Sequence, residues 1–157
     1  MSMTWGELKS QLVDLGFEED TITSEEEYGR LMRNSVNRAV SIISATVIPL
    51  IEGYLKNVAK WGYETEEEYE DRYGDTVTRP VWQFPTIRKI ASDTSDDTKI
   101  NFPEILEPLL PLLAAHYIWL DDDLTKAMIY WNEYDDLKNQ IVTNCQRPRR
   151  VEIVGGI

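Results

Sequence analysis

Residues Leu109-Leu110-Pro111-Leu112-Leu113-Ala114-Ala115-His116-Tyr117-Ile118-Trp119-Leu120 are apolar at nearly every position, so a helix built from them has no polar face to turn toward water. Such a helix must be covered on all sides. At about twelve residues it is too short to span a bilayer, which takes about 20. It therefore reads as the central helix of a protein core. Asp121-Asp122-Asp123 ends it, and Leu124, Ala127, Met128, Trp131, Tyr134, Leu137 and Ile141 then recur at helical spacing, which predicts a second helix folded back on the first through a tight turn.

Helical code also fills the amino-terminal third. Thr4-x-x-Glu7 has capping-box spacing and precedes Trp5, Leu8, Leu12 and Leu15, predicting a helix that ends near Gly16. Ser24-x-x-Glu27 repeats the signal and opens the strongest amphipathic pattern in the chain: Tyr28, Leu31, Met32, Ser35, Val36, Ala39, Val40 and Ile43. Pro49 interrupts that helix and reads as the start of another over Leu50 to Trp61, with a strand over Val47 to Leu55 as the alternative. Between Gly62 and Asp71 stand six acids and no base, with Thr65-x-x-Glu68 as a further capping box, so a short exposed helical turn is expected there. The period then changes. Residues 76–82, 86–90 and 98–102 are short and rich in β-branched or aromatic side chains, with Ser92 to Asp97 as a turn between the last two. The fold class is thus mainly α: a small helical bundle with a short inserted β hairpin or two to three short strands. A single helical domain is expected over 1–146, its β excursion at about 75–102, followed by an extended tail over 147–157.

The chain of 157 residues has ample apolar surface to fold, while its charge of −12 repels nucleic-acid phosphates and anionic membranes. The amino terminus lacks the basic and apolar regions of a secretory signal, which points to folding in a reducing cytoplasm. One Cys (Cys145) and one His (His116) leave no internal disulfide, no multi-Cys/His zinc site and no histidine relay. Neither a G-x-S-x-G elbow nor a Gly-rich phosphate loop occurs, and His116 lies inside the apolar helix, where a satisfied structural histidine is the simpler reading. Asp121, Asp122 and Asp123 present carboxylates suited to a divalent cation, with Asp135 and Asp136 as further donors, but capping of the following helix explains the triplet without a metal. No catalytic, cofactor or metal residues are assigned.

The tail is opposite in sign to the body. Arg147, Arg149 and Arg150 form the only basic cluster, and Val151, Ile153 and Val154 follow with strand-like character. Three arginines are too few to hold DNA against the acidic body, so the segment reads as an interface to a neighbouring subunit or partner through charge and strand addition, or else as a solvated end.

Three features stand together: the Thr4-Trp5-Gly6-Glu7-Leu8-Lys9 opening helix followed by an acidic gap and a long helix, Pro103 to Ala115 running into Asp121-Asp122-Asp123-Leu124 and Tyr130-Trp131-Asn132-Glu133-Tyr134, and the Arg-rich tail ending Val151-Glu152-Ile153-Val154-Gly155-Gly156-Ile157. In this organisation the chain resembles the head-tail connector, or adaptor, proteins of long-tailed bacteriophages. The resemblance implies a structural virion protein without catalysis, forming a homo-oligomeric ring, commonly twelvefold, below the portal protein. Such a ring extends the DNA channel without binding DNA specifically and offers a platform to the next head-completion or tail protein. It also implies location at the head-tail interface of the virion, with the host cytoplasm before assembly and no membrane. The segment from Pro49 to Tyr73 is longer and more acidic than that family pattern. Two other classes stand beside it: an acidic DNA mimic that occupies a basic nucleic-acid site on a partner, and a small carboxylate-based hydrolase.

Overall fold

The computed structural model describes residues 3–15 and 25–146. The described residues form five helices, α1 (Trp5–Asp14), α2 (Glu25–Thr46), α3 (Glu52–Asn57), α4 (Leu109–Trp119) and α5 (Leu124–Gln146), with an antiparallel hairpin of β1 (Tyr63–Glu70) and β2 (Thr76–Gln83) inserted between α3 and α4. Short 3₁₀ turns at Ile48–Leu50 and Glu104–Leu106 lead into α3 and α4.

α4 occupies the centre, with α1, α2 and α5 packed on it. Eight of its residues are buried, among them Leu109, Leu110, Leu113, Ala114 and Ile118. Pro108 and Pro111 sit at its start, where the missing N–H groups have no intrahelical acceptor to lose. α2 buries Tyr28, Met32, Ser35, Val36, Ala39 and Ile43, the face read from its spacing. α1 buries Trp5, Leu8 and Leu12, and Thr4 caps it by accepting the Glu7 N–H at 3.2 Å.

α5 folds back against α4 as expected, but its inward face is rotated from the stripe read in sequence. Ala127 and Tyr134 are buried and Tyr130, Trp131, Leu137 and Ile141 pack against the core, whereas Leu124 is 62% exposed and Met128 also faces outward. The reason is aromatic bulk. Tyr130 donates to the Leu15 carbonyl at 2.6 Å, and Tyr134, whose pKa is raised by burial, packs against Trp131 at 5.5 Å between ring centroids. These contacts set the rotation of α5.

Pro49 lies within a 3₁₀ turn rather than a strand, and α3 follows after Ile51. Two other expectations are corrected. Residues 63–70 are a strand, not a helical turn, and the hairpin therefore spans 63–83 instead of the 75–102 expected for the β excursion. Of the further segments read as strands, 86–90 is irregular and 98–102 makes only an isolated bridge from Lys99 to Thr4. Their apolar residues Ile90, Ile100 and Phe102 enter the helical core, and the backbone finds partners there instead of in a sheet. Thr98 and Asp96 carbonyls accept from Trp5 and Gly6 at 2.9 Å, filling the open donors of the first turn of α1, and Ile100 N–H donates to Met3 at 3.0 Å. Asn37 on α2 completes the docking: its Nδ2 donates to the Ile90 carbonyl and its Oδ1 accepts the Ile90 N–H, both at 2.8 Å.

Asn37→Ala is expected to cost about 3 kcal/mol, since it removes two hydrogen bonds and strands two part-buried backbone groups. Urea titration reads this as a lower midpoint at unchanged slope. Glu107 provides a pH test. Burial raises its pKa from the ordinary 4.5 and nearby Glu104 adds to this, against the opposing hydrogen bond from the Met3 N–H. A carboxyl with a raised folded-state pKa destabilises the fold when ionised, and the penalty fades as pH falls through the window between that raised value and the ordinary one. Glu107→Gln is therefore expected to be more stable than the parent at pH 7, the gap closing below about pH 4.5, in thermal melts across that range.

Candidate interaction surface: the β hairpin and its root

The hairpin begins where α3 ends. Lys60 (φ 55) and Gly62 (φ 123) turn the chain through left-handed backbone on either side of Trp61. Gly62 is required on two counts, because a Cβ there would lie 2.4 Å from the Gln83 carbonyl oxygen and 2.7 Å from Trp82 Nε1. Trp82 Nε1 donates to the Trp61 carbonyl at 2.9 Å, and the Trp61 and Phe84 rings stack at 5.4 Å between centroids. This aromatic clamp ties the root to the body, where Trp61 and Phe84 pack on the core. A two-stranded hairpin is marginal in water on its own, so the clamp is what makes the arm persist.

Pairing runs from Tyr63 opposite Gln83 to Glu70 opposite Thr76. The far end is closed by Asp71, whose Oδ1 accepts the Tyr73 and Asp75 N–H groups at 2.8 and 3.0 Å, with Gly74 (φ 82) supplying the left-handed step. Alternation gives the arm two unlike faces. One carries Tyr63, Thr65, Glu67 and Tyr69 beside Gln83, Val81, Arg79 and Val77. There Arg79 pairs with Glu67 at 3.4 Å and lies 5.0 Å from the Tyr69 ring centroid. The other face carries Glu64, Glu66, Glu68 and Glu70 in one row, all exposed. An exposed ion pair of this kind contributes little stability. Tyr63 is 57% exposed and Tyr73, at the tip, 78%.

The spacing Thr65-x-x-Glu68 hid this strand, since it matches a helix start. The signals that reveal it are Tyr63, Thr65 and Tyr69 on one parity, the Asp71 to Gly74 turn chemistry, and the β-branched partner at 76–83.

The other candidates resolve individually. Asp123 caps α5, its Oδ1 accepting the Lys126 N–H at 3.1 Å and its carbonyl the Ala127 N–H at 2.9 Å, while Asp121 and Asp122 are exposed in the turn. Asp135 lies twelve residues further along the same helix, about 18 Å away, and pairs with Lys138 at 2.8 Å. Among the described residues no cluster of three or more metal-binding side chains occurs. His116 is buried and its Nδ1 is 2.8 Å from the Ala127 carbonyl. A carbonyl can only accept, so Nδ1 carries the proton, and the ring is held against Trp131 at 5.2 Å as a tie between α4 and α5. The Cys145 thiol is buried near the end of α5. An open cleft of about 750 Å³ lies between α1, α2 and the 91–96 segment, lined by Trp5, Lys9, Tyr28 and Arg33 and bridged at one side by the Lys9–Asp96 ion pair. Arg147, Arg149, Arg150, Val151, Ile153 and Val154, the interface residues read from sequence, lie outside the described residues.

Gly62→Ala is expected to force the root open, break the Trp82–Trp61 hydrogen bond and leave the helical core intact. Trp fluorescence should change and hydrogen exchange of the hairpin amides should speed up, while helical circular dichroism holds. No family model, curated protein or solved structure was found to match this chain.

Proposed function

We propose that the protein is a structural subunit of a bacteriophage head-tail junction, assembling as a ring below the portal protein that extends the DNA channel and presents a surface to the next head-completion or tail protein. The observation that carries this reading is the hairpin arm. Residues 63–83 form an ordered, two-faced projection whose strands lie outside the helical core, so its surface is available to another molecule rather than to the fold's own interior. The resemblance in sequence organisation supplies the identity of the assembly and its twelvefold order. An acidic body suits a channel through which DNA passes without adhering, because like charges keep phosphates off the wall. Assembly then takes place in the host cytoplasm and the product resides in the virion.

A second reading is favoured by one specific feature. Glu64, Glu66, Glu68 and Glu70 form a row of carboxylates spaced by about 6.8 Å along β1, a linear anionic array of the kind a DNA mimic offers to a basic nucleic-acid site.

Light-scattering mass across a wide concentration range, with negative-stain images, separates the two. Closed rings of uniform size are the expected result. A protomer at every concentration that binds a basic nucleic-acid enzyme, with affinity falling steeply as salt rises, replaces the ring with the mimic.

A further inference from the structure

Among the described residues, β1 is an edge strand with no strand paired to its outer side. The sheet has two strands among the described residues, and seven of the eight residues of β1 are exposed. β2's outer edge is a poorer template: Pro80 lacks an N–H there, and the edge borders an open groove shared with α3 residues Glu52, Gly53 and Lys56. Pro80 also defines the hydrogen-bonding parity of the ladder. It pairs with Glu66, and since it has no proton to give, that pair is one whose backbone groups point away from the partner strand. The Asp71 N–H to Asp75 carbonyl bond at 3.0 Å, five residues on, fits the same alternation. The N–H and C=O groups of Glu64, Glu66, Glu68 and Glu70 therefore face outward along β1, an open template about 27 Å long.

We propose that this edge receives residues 147–154 of a second copy of the chain as a third, antiparallel strand, which deepens the ring reading above by naming the contact between neighbours and rests on it. The occupant is chosen by charge and register. With Arg147 opposite Glu70, the segment places Arg149 opposite Glu68, Arg150 opposite Glu67 and Val154 opposite Tyr63. All three arginines meet a glutamate. Pro148 then falls opposite Tyr69, whose backbone groups already serve β2, so its missing N–H costs no hydrogen bond. A slip of two residues one way sets Glu152 against Glu67, and the other way sets Arg150 against Thr65. The register is thus specified by the sequence of both strands.

A neighbour as donor is what the ring reading requires, and the mixing experiment below separates it from a contact made within one chain. Each chain gives a tail and receives one through different surfaces, so the contact is head-to-tail and closes into a ring when the rotation permits.

The test is a charge swap in the full-length chain, read by light-scattering mass with circular dichroism as the folding control. Glu68→Arg and Arg149→Glu are each expected to lose the assembled mass while keeping the helical spectrum. Mixing the two single variants in equal amounts is expected to restore it, since each tail then finds a complementary edge on the other variant, and the double variant restores it as well. Rescue in the double variant without rescue on mixing means the contact is made within one chain and overturns the proposal. Rings that survive both single substitutions overturn the edge contact and leave the ring reading standing. Swap-dependent assembly into dimers or open chains does the reverse, upholding the edge contact and removing the ring. A parent chain that stays a protomer throughout overturns both.

Discussion

The burial of α4 is the constraint on which the rest of the structure depends. A helix with Leu109, Leu110, Pro111, Ala114, Ala115 and His116 buried around its circumference has no stable position at a surface, and the removal of each buried Leu or Ile side chain from water contributes on the order of 1.5–3 kcal/mol. α1, α2 and α5 each supply one apolar face to that central element. His116 shows how strictly the site is enclosed: its buried imidazole is accommodated by donating to the Ala127 carbonyl, where α5 begins its first turns, and by packing against Trp131.

Helices alone do not close the core. The segment from 84 to 103 covers the remaining side without regular structure, placing Ile90, Ile100 and Phe102 inside. Backbone run through a core needs partners, and it finds them at two prepared places: the open first turn of α1, and the Asn37 amide, which presents to Ile90 the same donor and acceptor pair that a neighbouring strand would. This is the physical reason that β-rich sequence at 86–90 and 98–102 does not yield strands.

The hairpin answers to other demands. Its stability comes from a small root, where Gly62 allows Gln83 to approach and Trp82 bonds to the Trp61 carbonyl, while the strands beyond carry charge and aromatic side chains into solvent. One face gathers four glutamates and the other mixes tyrosines with the Arg79–Glu67 pair. An arm of this composition is suited to contact through charge and backbone edge rather than through buried apolar area, which accords with a basic strand as its complement.

The helices were legible in the sequence because each is specified locally: the capping pattern at Thr4, the amphipathic spacing from Tyr28 to Ile43, and the unbroken apolar run that makes α4 central all act over a few turns. The same holds for Asp123 as the cap of α5 and for His116 as a structural residue. What tertiary structure decided was everything set by partners distant in sequence. Six acids between Gly62 and Asp71 suit an exposed helical turn or a solvated strand equally well, and only the pairing of 63–70 with 76–83 selects the strand, splitting the glutamates between two faces and creating the candidate surface. Likewise Leu124 and Met128 fit the helical stripe as well as Tyr130 does, and the rotation of α5 is settled by contacts such as the Tyr130 bond to Leu15, more than a hundred positions away. Periodicity reports which residues share a face. Which face turns inward, and which strand finds a partner, depends on the shape of what is packed against it.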